Sequence, residues 1–280
     1  MTATSGEIRA SFPAITGLIG KTVVVKYGGS AMEREETREG VCREVASLHQ
    51  LGIKIVVVHG GGSEISRMME RVGLKPIFLD GLRVTDSEGM RITEMVLSGT
   101  INSDLVSRIN RSGAPAIGMS GRDAHLLKGL RLKGKAGEDL GNTGEVTTVA
   151  ADSIIAILDG GFVPVVSPVA ETMDGEPLNV NADYAAAALA GALSAEACIF
   201  LTDVTGVKKN GEIIPTLSRL ESKRWIEDGT IYGGMIPKVE CALRALKEGA
   251  RRAVICDAAR PFVISATLCG DALSGTSITP

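Results

Sequence analysis

Val24-Val25-Lys26-Tyr27-Gly28-Gly29-Ser30 is the stretch from which the fold of this chain is read. Its β-branched residues make a buried strand that ends in one lysine, paired glycines and a serine. Such a strand delivers a cation to a bare backbone turn. Glycine lets main-chain N–H groups come close to a ligand, and a lysine beside them adds positive charge, so a phosphate suits the place. An ordinary strand-to-helix turn with a solvated lysine would look the same, and the neighbouring sequence has to separate the two.

Downstream, residues 33–51 carry Val41, Val45 and Leu48 on one helical face, with Gly52 as a stop signal. The unit then repeats: Lys54 to His59 is a second buried strand, Gly60-Gly61-Gly62 a turn, and Ser63 the expected cap of a helix ending at Gly73. Two strand–glycine turn–helix units in succession imply a parallel sheet with both turns at its carboxyl edge, where open α/β sheets bind ligands. Asp80 to Asp86 leads into a long helical pattern running to about Arg111, capped by Thr85 or Asp86. A strand over 114–119, a hairpin excursion over 130–149, a helix over 151–160, a strand over 163–167 and a hairpin over 171–180 follow.

A second lobe is expected from Leu178. Asn181-Ala182-Asp183 opens an alanine-rich helix, Cys198 to Asp203 is a strand, residues 217–228 a helix, and Ile231 to Pro237 a glycine loop before a helix starting at Lys238; Ala253 to Asp257 is the last main strand. The predicted fold is α/β, a three-layer α/β/α sandwich with a mainly parallel central sheet. Its lobes are 1–177, opened by a short amphipathic helix within 1–20, and 178–280.

Composition narrows the function. With 30 basic against 33 acidic residues there is no basic field for nucleic acid or anionic lipid, and one Trp, three Tyr and five Phe leave little for base stacking. The five cysteines form no C-x-x-C pair and read as small buried residues of a cytoplasmic protein. Neither a signal peptide nor a membrane-spanning apolar run is present in the sequence. Three histidines without metal-ligand spacing give no metal site, and the P-loop, dinucleotide and eukaryotic-type kinase signatures are missing.

What remains is two glycine turns, Lys26, a late glycine loop followed by Lys238, and the polar trio Asn179, Asn181 and Asp183. Phosphoryl transfer uses this kit of bare N–H groups and cations, with little covalent work for the protein to do. Singly, each piece also fits a turn glycine, a surface lysine or an N-cap.

In order along the chain stand Lys26-Tyr27-Gly28-Gly29, His59-Gly60-Gly61-Gly62, Gly81-Leu82-Arg83-Val84-Thr85, Asn179-Val180-Asn181-Ala182-Asp183, Leu201 to Gly206, and Gly234-Met235-Ile236-Pro237-Lys238. Together they resemble the amino acid kinase family from about Gly20 to Gly275. The resemblance implies ATP-dependent phosphorylation, with Mg2+, of the side-chain carboxylate of N-acetyl-L-glutamate in arginine synthesis. It implies that Lys26 and Lys238 stabilise the transition state and that Asp183 holds both lysines. Gly28, Gly29, Gly61 and Gly62 would donate N–H groups to phosphoryl and substrate. Arg83, Asn179 and Asn181 would hold the acylated amino acid, and Asp203 would lie on the ATP side. It further implies acylamino-acid binding by the first lobe, nucleotide binding by the second, and a homodimer or a hexamer built as a trimer of dimers.

Val254 and Thr267 stand where arginine-inhibited members are expected to carry a histidine and a glutamate, so feedback by arginine is expected to be weak or absent. Aspartokinases would add regulatory domains after Gly275, and uridylate and carbamate kinases have no use for Gly-Leu-Arg-Val-Thr. A kinase of aminoadipate or of carrier-linked glutamate would want a basic mouth, for which Arg131-Leu132-Lys133-Gly134-Lys135 is the candidate cluster. A non-catalytic nucleotide-binding regulator would be expected to lack Lys26, Lys238 or Asp183.

Overall fold

Alternate residues of β1 (Thr22–Tyr27) point to opposite faces of the sheet, and both faces are buried. The structure, a computed structural model, describes residues 14–271 and 274–280. After β1, α1 (Glu35–Gln50), β2 (Lys54–His59) and α2 (Gly62–Arg71) give the repeated unit that the glycine turns mark. A hairpin of β3 (Ile77–Leu79) and β4 (Leu82–Val84) precedes α3 (Ser87–Glu94), a π-helical turn (Met95–Ile101) and α4 (Asn102–Arg111). Then come β5 (Ala116–Ser120), β6 (Leu127–Lys133), β7 (Asp139–Val149), α5 (Asp152–Asp159), β8 (Val163–Ser167), β9 (Val169–Glu171) and β10 (Pro177–Val180). The remainder is α6 (Ala182–Ala192), β11 (Ala197–Thr202), the hairpin β12 (Lys208–Lys209) and β13 (Glu212–Ile213), and β14 (Thr216–Ser218). It ends with α7 (Arg219–Glu227), α8 (Met235–Glu248), β15 (Ala253–Asp257), α9 (Val263–Leu268) and β16 (Thr276–Thr279).

One eight-stranded sheet runs through the molecule in the order β14-β16-β15-β11-β1-β2-β8-β5. Its pairs are parallel except β15 with β16. Val24, Val58, Val166, Phe200 and Ile255 pack on one face beneath α5, α6 and α8. Val23, Val25, Ile55, Val57 and Ile199 pack on the other beneath α1, α4 and α9. Lys26 shares parity with Val24, so the pleat turns its side chain to the α6 side, at the carboxyl end of a central strand. The Ala-rich α6 buries nearly its whole circumference there, which lets it lie close to the sheet.

The three-layer α/β/α arrangement predicted from the sequence is the one observed. Several details differ. The helix carrying Lys238 starts at Met235, so Lys238 is its fourth residue. Pro237 is tolerated because first-turn N–H groups need no helical partner. Ser63 caps nothing, since Gly61 is the N-cap of α2 and no side chain fills that role. The long pattern to Arg111 is broken by the π turn, with Asp86 capping α3 through the Gly89 N–H. Strands β6, β7, β9 and β10 close into a small barrel where two separate hairpins are predicted, and α9 and the antiparallel β16 extend the chain beyond the expected last strand. Of the helix expected within 1–20, residues 14–16 are helical and 1–13 lie outside the described residues.

Tyr27, given no role from the sequence, shapes the first glycine turn. Its buried hydroxyl donates to the Ala31 carbonyl at 3.0 Å, closing the 3-10 turn Gly29–Met32. Burial also raises the phenol pKa, keeping the donor protonated. Tyr27→Phe is expected to cost about 1 kcal/mol, the worth of one buried hydrogen bond, read as a lower urea midpoint at unchanged m-value. An unchanged midpoint would remove the assigned role.

Candidate active site

The two glycine turns touch backbone to backbone. The Gly60 N–H donates to the Tyr27 carbonyl at 2.8 Å. A Cβ on Gly28 would lie 3.1 Å from Lys26 Nζ and 3.2 Å from Gly60 Cα, so that position has little room for a side chain. Gly29 has φ +73°, a left-handed conformation natural to glycine. From the α6 side, Asp183 Oδ1 meets Lys26 Nζ at 2.9 Å. Asn181 caps α6 by accepting the Asp183 N–H at 2.8 Å, which fixes where the carboxylate emerges. The cation is therefore held between a strand end and a capped helix start. The start of α2, the positive end of its dipole, lines the same cleft as Lys26 and Asp183.

Arg83 and Asn179 form the other wall. The Arg83 guanidinium is buried, donates to the Gly62 carbonyl at 2.8 Å and Ser66 Oγ at 2.9 Å, and lies 4.7 Å from the Phe78 ring centre. Burial draws its pKa down from the ordinary value. Asn179 Nδ2 donates to Thr85 Oγ1 at 3.0 Å, and Thr85 in turn meets Thr143 Oγ1 at 2.9 Å. Thr143 donates to the Arg83 carbonyl, so β4, β7 and β10 are tied together by hydroxyls under this wall.

A cleft of about 240 Å3 joins the two walls. Lys26, Gly29, Gly61 and Gly62 line its turn side, and Arg83, Asn179, Asn181 and Asp183 the rest. Gly28 lies behind, in the packing of the turns. Lys238 and Asp203 stand apart from this lining. Lys238 Nζ is 3.9 Å from Asp203 Oδ1 rather than at Asp183, so the expectation that Asp183 grips both lysines is met here for Lys26 alone. The reason is placement: α8 brings Lys238 to the loop after β11, where Asp203 is nearer. A second cavity, of about 360 Å3, begins at Asp203 and runs along Val204, Gly206, Lys208, Tyr232 and Met235.

Ser66, Thr85, Thr143 and Phe78 support this site, and sequence reasoning placed none of them there, Thr85 having been read only as a candidate helix cap, a place that Asp86 takes. Thr85 belongs to a recognised motif, but its partners Thr143 and Asn179 lie 58 and 94 residues away, beyond any spacing rule. Among the described residues no group of three or more His, Cys, Asp or Glu side chains could hold a metal, and no helix is long and apolar enough to cross a membrane.

The chain belongs to the amino acid kinase family, whose model matches residues 21–257. Among its relatives, acetylglutamate kinase of Stutzerimonas stutzeri (strain A1501) is 41% identical over 279 residues, covering 96% of this chain and 93% of that one. The fold is also similar to N-acetylglutamate synthase from Neisseria gonorrhoeae complexed with coenzyme A and N-acetyl-glutamate. That match has a TM-score of 0.88 at 24% identity and covers all of this chain but 64% of the synthase. Carbamate kinase from Giardia lamblia bound to AMP-PNP matches with a TM-score of 0.65 at 18% identity, over 93% of this chain and 98% of that one.

Proposed function

We propose that this chain transfers the γ-phosphoryl group of ATP to the side-chain carboxylate of N-acetyl-L-glutamate, giving the acyl phosphate and ADP, a step of arginine biosynthesis. The observation that carries the reading is the single cleft joining Lys26 and the glycine turns to Arg83 and Asn179. A relative named acetylglutamate kinase, 41% identical over nearly the whole chain, supports it.

In this reading Arg83 takes the α-carboxylate of the acylated amino acid through its planar fork, and Asn179 and Asn181 meet its amide. The side-chain carboxylate then faces the glycine turns. It is ionised at neutral pH and needs no general base, because an ordinary glutamate carboxyl titrates near pH 4.3. It attacks the γ-phosphorus in line and ADP leaves on the opposite side. The N–H groups of Gly29, Gly61 and Gly62 and the Nζ of Lys26 meet charge developing on the transferring oxygens, with Lys238 on the leaving side. Asp183 keeps Lys26 aimed.

ATP fits the cavity that starts at Asp203, with Tyr232 and Met235 offering apolar surface to its base. A magnesium ion bound with the nucleotide would supply charge neutralisation there. Asp203, in the wall of this cavity and 3.9 Å from Lys238 Nζ, is a carboxylate donor that could help to hold such an ion. The division into an acylamino-acid lobe (1–177) and a nucleotide lobe (178–280) belongs to the same proposal. Arg131, the head of the basic cluster, is tied to Asn142 Oδ1 at 3.0 Å within the β6–β7 hairpin, which favours the free amino acid over a carrier-linked one.

The test is ADP release with N-acetyl-L-glutamate, glutamate, N-acetyl-aminoadipate, aspartate, carbamate and UMP. N-acetyl-L-glutamate is expected to give the highest kcat/KM, and no turnover with any of them would refute a kinase. L-Arginine, added to the same assay at sub-millimolar concentration, is expected to inhibit little. Thr267 spends its hydroxyl on the Ile264 carbonyl, and the cavity of about 170 Å3 beside it has Arg252 in its wall. Strong inhibition would overturn that expectation.

A further inference from the structure

His59, at the end of β2, is fully buried and immediately precedes the glycines of the second turn. Its two ring nitrogens have different partners. Nδ1 lies 3.0 Å from the Gly60 carbonyl, and Nε2 lies 3.1 Å from Asn102 Nδ2. The same Asn102 amide donates to the Val165 carbonyl at 2.9 Å. A backbone carbonyl only accepts, so the Asn102 atom facing it is the nitrogen, and its other hydrogen is aimed at His59 Nε2. Nε2 is then the acceptor and Nδ1 carries the proton, which it donates to the Gly60 carbonyl. The ring is a neutral imidazole of fixed tautomer, consistent with burial that pushes its pKa down to about 4.

In a trans peptide the carbonyl of one residue and the N–H of the next point in opposite directions, and this chain has no cis peptides among the described residues. Holding the Gly60 carbonyl toward the His59 ring therefore turns the Gly61 N–H the other way, away from the ring, and Gly61 lines the cleft. Among the described residues nothing accepts from that N–H, which leaves it for a ligand.

A second contact fixes the same peptide from below. The π turn presses Leu97 and Ile101 against Gly61 so closely that a Cβ there would run into Ile101 Cδ1 and Leu97 Cδ2. Asn102 is the first residue after that turn, and a Cβ on Gly118 of β5 would fall on its side chain. The extra residue of a π turn thus sets both the wedge under Gly61 and the register that brings Asn102 to His59.

We infer that His59 and Asn102 are positioning residues for phosphoryl transfer, an imidazole–amide relay that holds the Gly60–Gly61 peptide with its N–H aimed at the moving phosphoryl. The inference rests on reading the cleft as a phosphoryl-transfer site. Neither side chain touches substrate; both act through the backbone.

Nitrogen-15 NMR of the ring nitrogens of His59 in the resting full-length protein at pH 7 reads the tautomer without any variant. Protonated Nδ1 and bare Nε2 are expected, and a protonated Nε2 overturns the relay. Kinetics read its consequence. His59→Leu fills the buried site without a donor and is expected to lower kcat about tenfold, a fraction of what direct loss of an oxyanion donor costs, with KM values nearly unchanged. His59→Asn, whose amide nitrogen can take the place of Nδ1, is expected to restore kcat to within about threefold of wild type, because the aimed peptide is what the relay supplies. If packing were all that mattered, leucine would serve as well as asparagine, and wild-type kcat in His59→Leu, or equal loss in both variants, refutes the inference. Wild-type turnover with N-acetyl-L-glutamate separately tests the functional reading, so failure of either is distinguishable.

Discussion

Lys26→Ala is expected to lower kcat by about two to three orders of magnitude with saturating ATP and N-acetyl-L-glutamate, the range seen when one donor to developing charge is removed. Lys26 is only 12% exposed and has Asp183 at 2.9 Å, so its ammonium is held in place before substrate arrives. Truncation removes that cation and leaves the Asp183 carboxylate facing incoming phosphate oxygens with nothing between them. Both changes raise the barrier, and both act more on the transition state than on the ground state, so kcat should fall more than KM rises. Lys238→Ala should fall by a similar factor if its ammonium leaves Asp203 for the nucleotide when ATP binds. That pair stands at 3.9 Å, longer than the 2.9 Å of the Lys26 pair. A variant at either position with wild-type kcat would show that the assigned role is wrong.

Arg83→Ala should separate binding from chemistry. Losing a charge-assisted contact to a carboxylate costs about 1.5–3 kcal/mol, which corresponds to a rise of about ten- to a hundredfold in KM for N-acetyl-L-glutamate. KM for ATP and kcat at saturation should stay within a few-fold, because Arg83 lines the first cleft and is not in the lining of the cavity proposed for ATP. Arg83→Lys is expected to recover little. The Arg83 Nη2 atom serves both the Gly62 carbonyl and Ser66 Oγ, and a single ammonium has no fork with which to hold these and the substrate. A parallel rise in KM for ATP would mean that the substitution had disturbed the fold of the cleft instead.

Much of this candidate site is legible in the sequence because its parts are local. A β-branched run ending in Lys26 and Gly28-Gly29 is one continuous segment, and its role depends on strand parity, which the sequence displays directly. Asn181 capping α6 and Asp86 capping α3 are likewise local, reaching two and three residues along the chain. Pairings between distant segments were hidden. The barrel of β6, β7, β9 and β10 needs Asn179 beside Thr143 in parallel register, and no local pattern encodes that pairing. Strands β3 and β4 are three residues each, too short for alternation to show, yet they carry Arg83. The π turn leaves no periodic signature, because its buried Val96 and Leu97 also fit a continuous α-helix. His59 and Asn102 meet across 43 residues, so the histidine of His59-Gly60-Gly61-Gly62 was legible as a marker of the turn and not as part of its support.

A phosphoryl group is expected to move from ATP to a side-chain carboxylate held between Arg83 and the glycine turns. Hydroxylamine in the reaction mixture tests it most directly, since it captures an acyl phosphate as a hydroxamate. With ATP, Mg2+ and N-acetyl-L-glutamate, hydroxamate should form one for one with ADP, and N-acetyl-L-glutamine, which lacks the acceptor carboxylate, should give neither. ADP release without hydroxamate, or equal ADP release with N-acetyl-L-glutamine, would contradict the account.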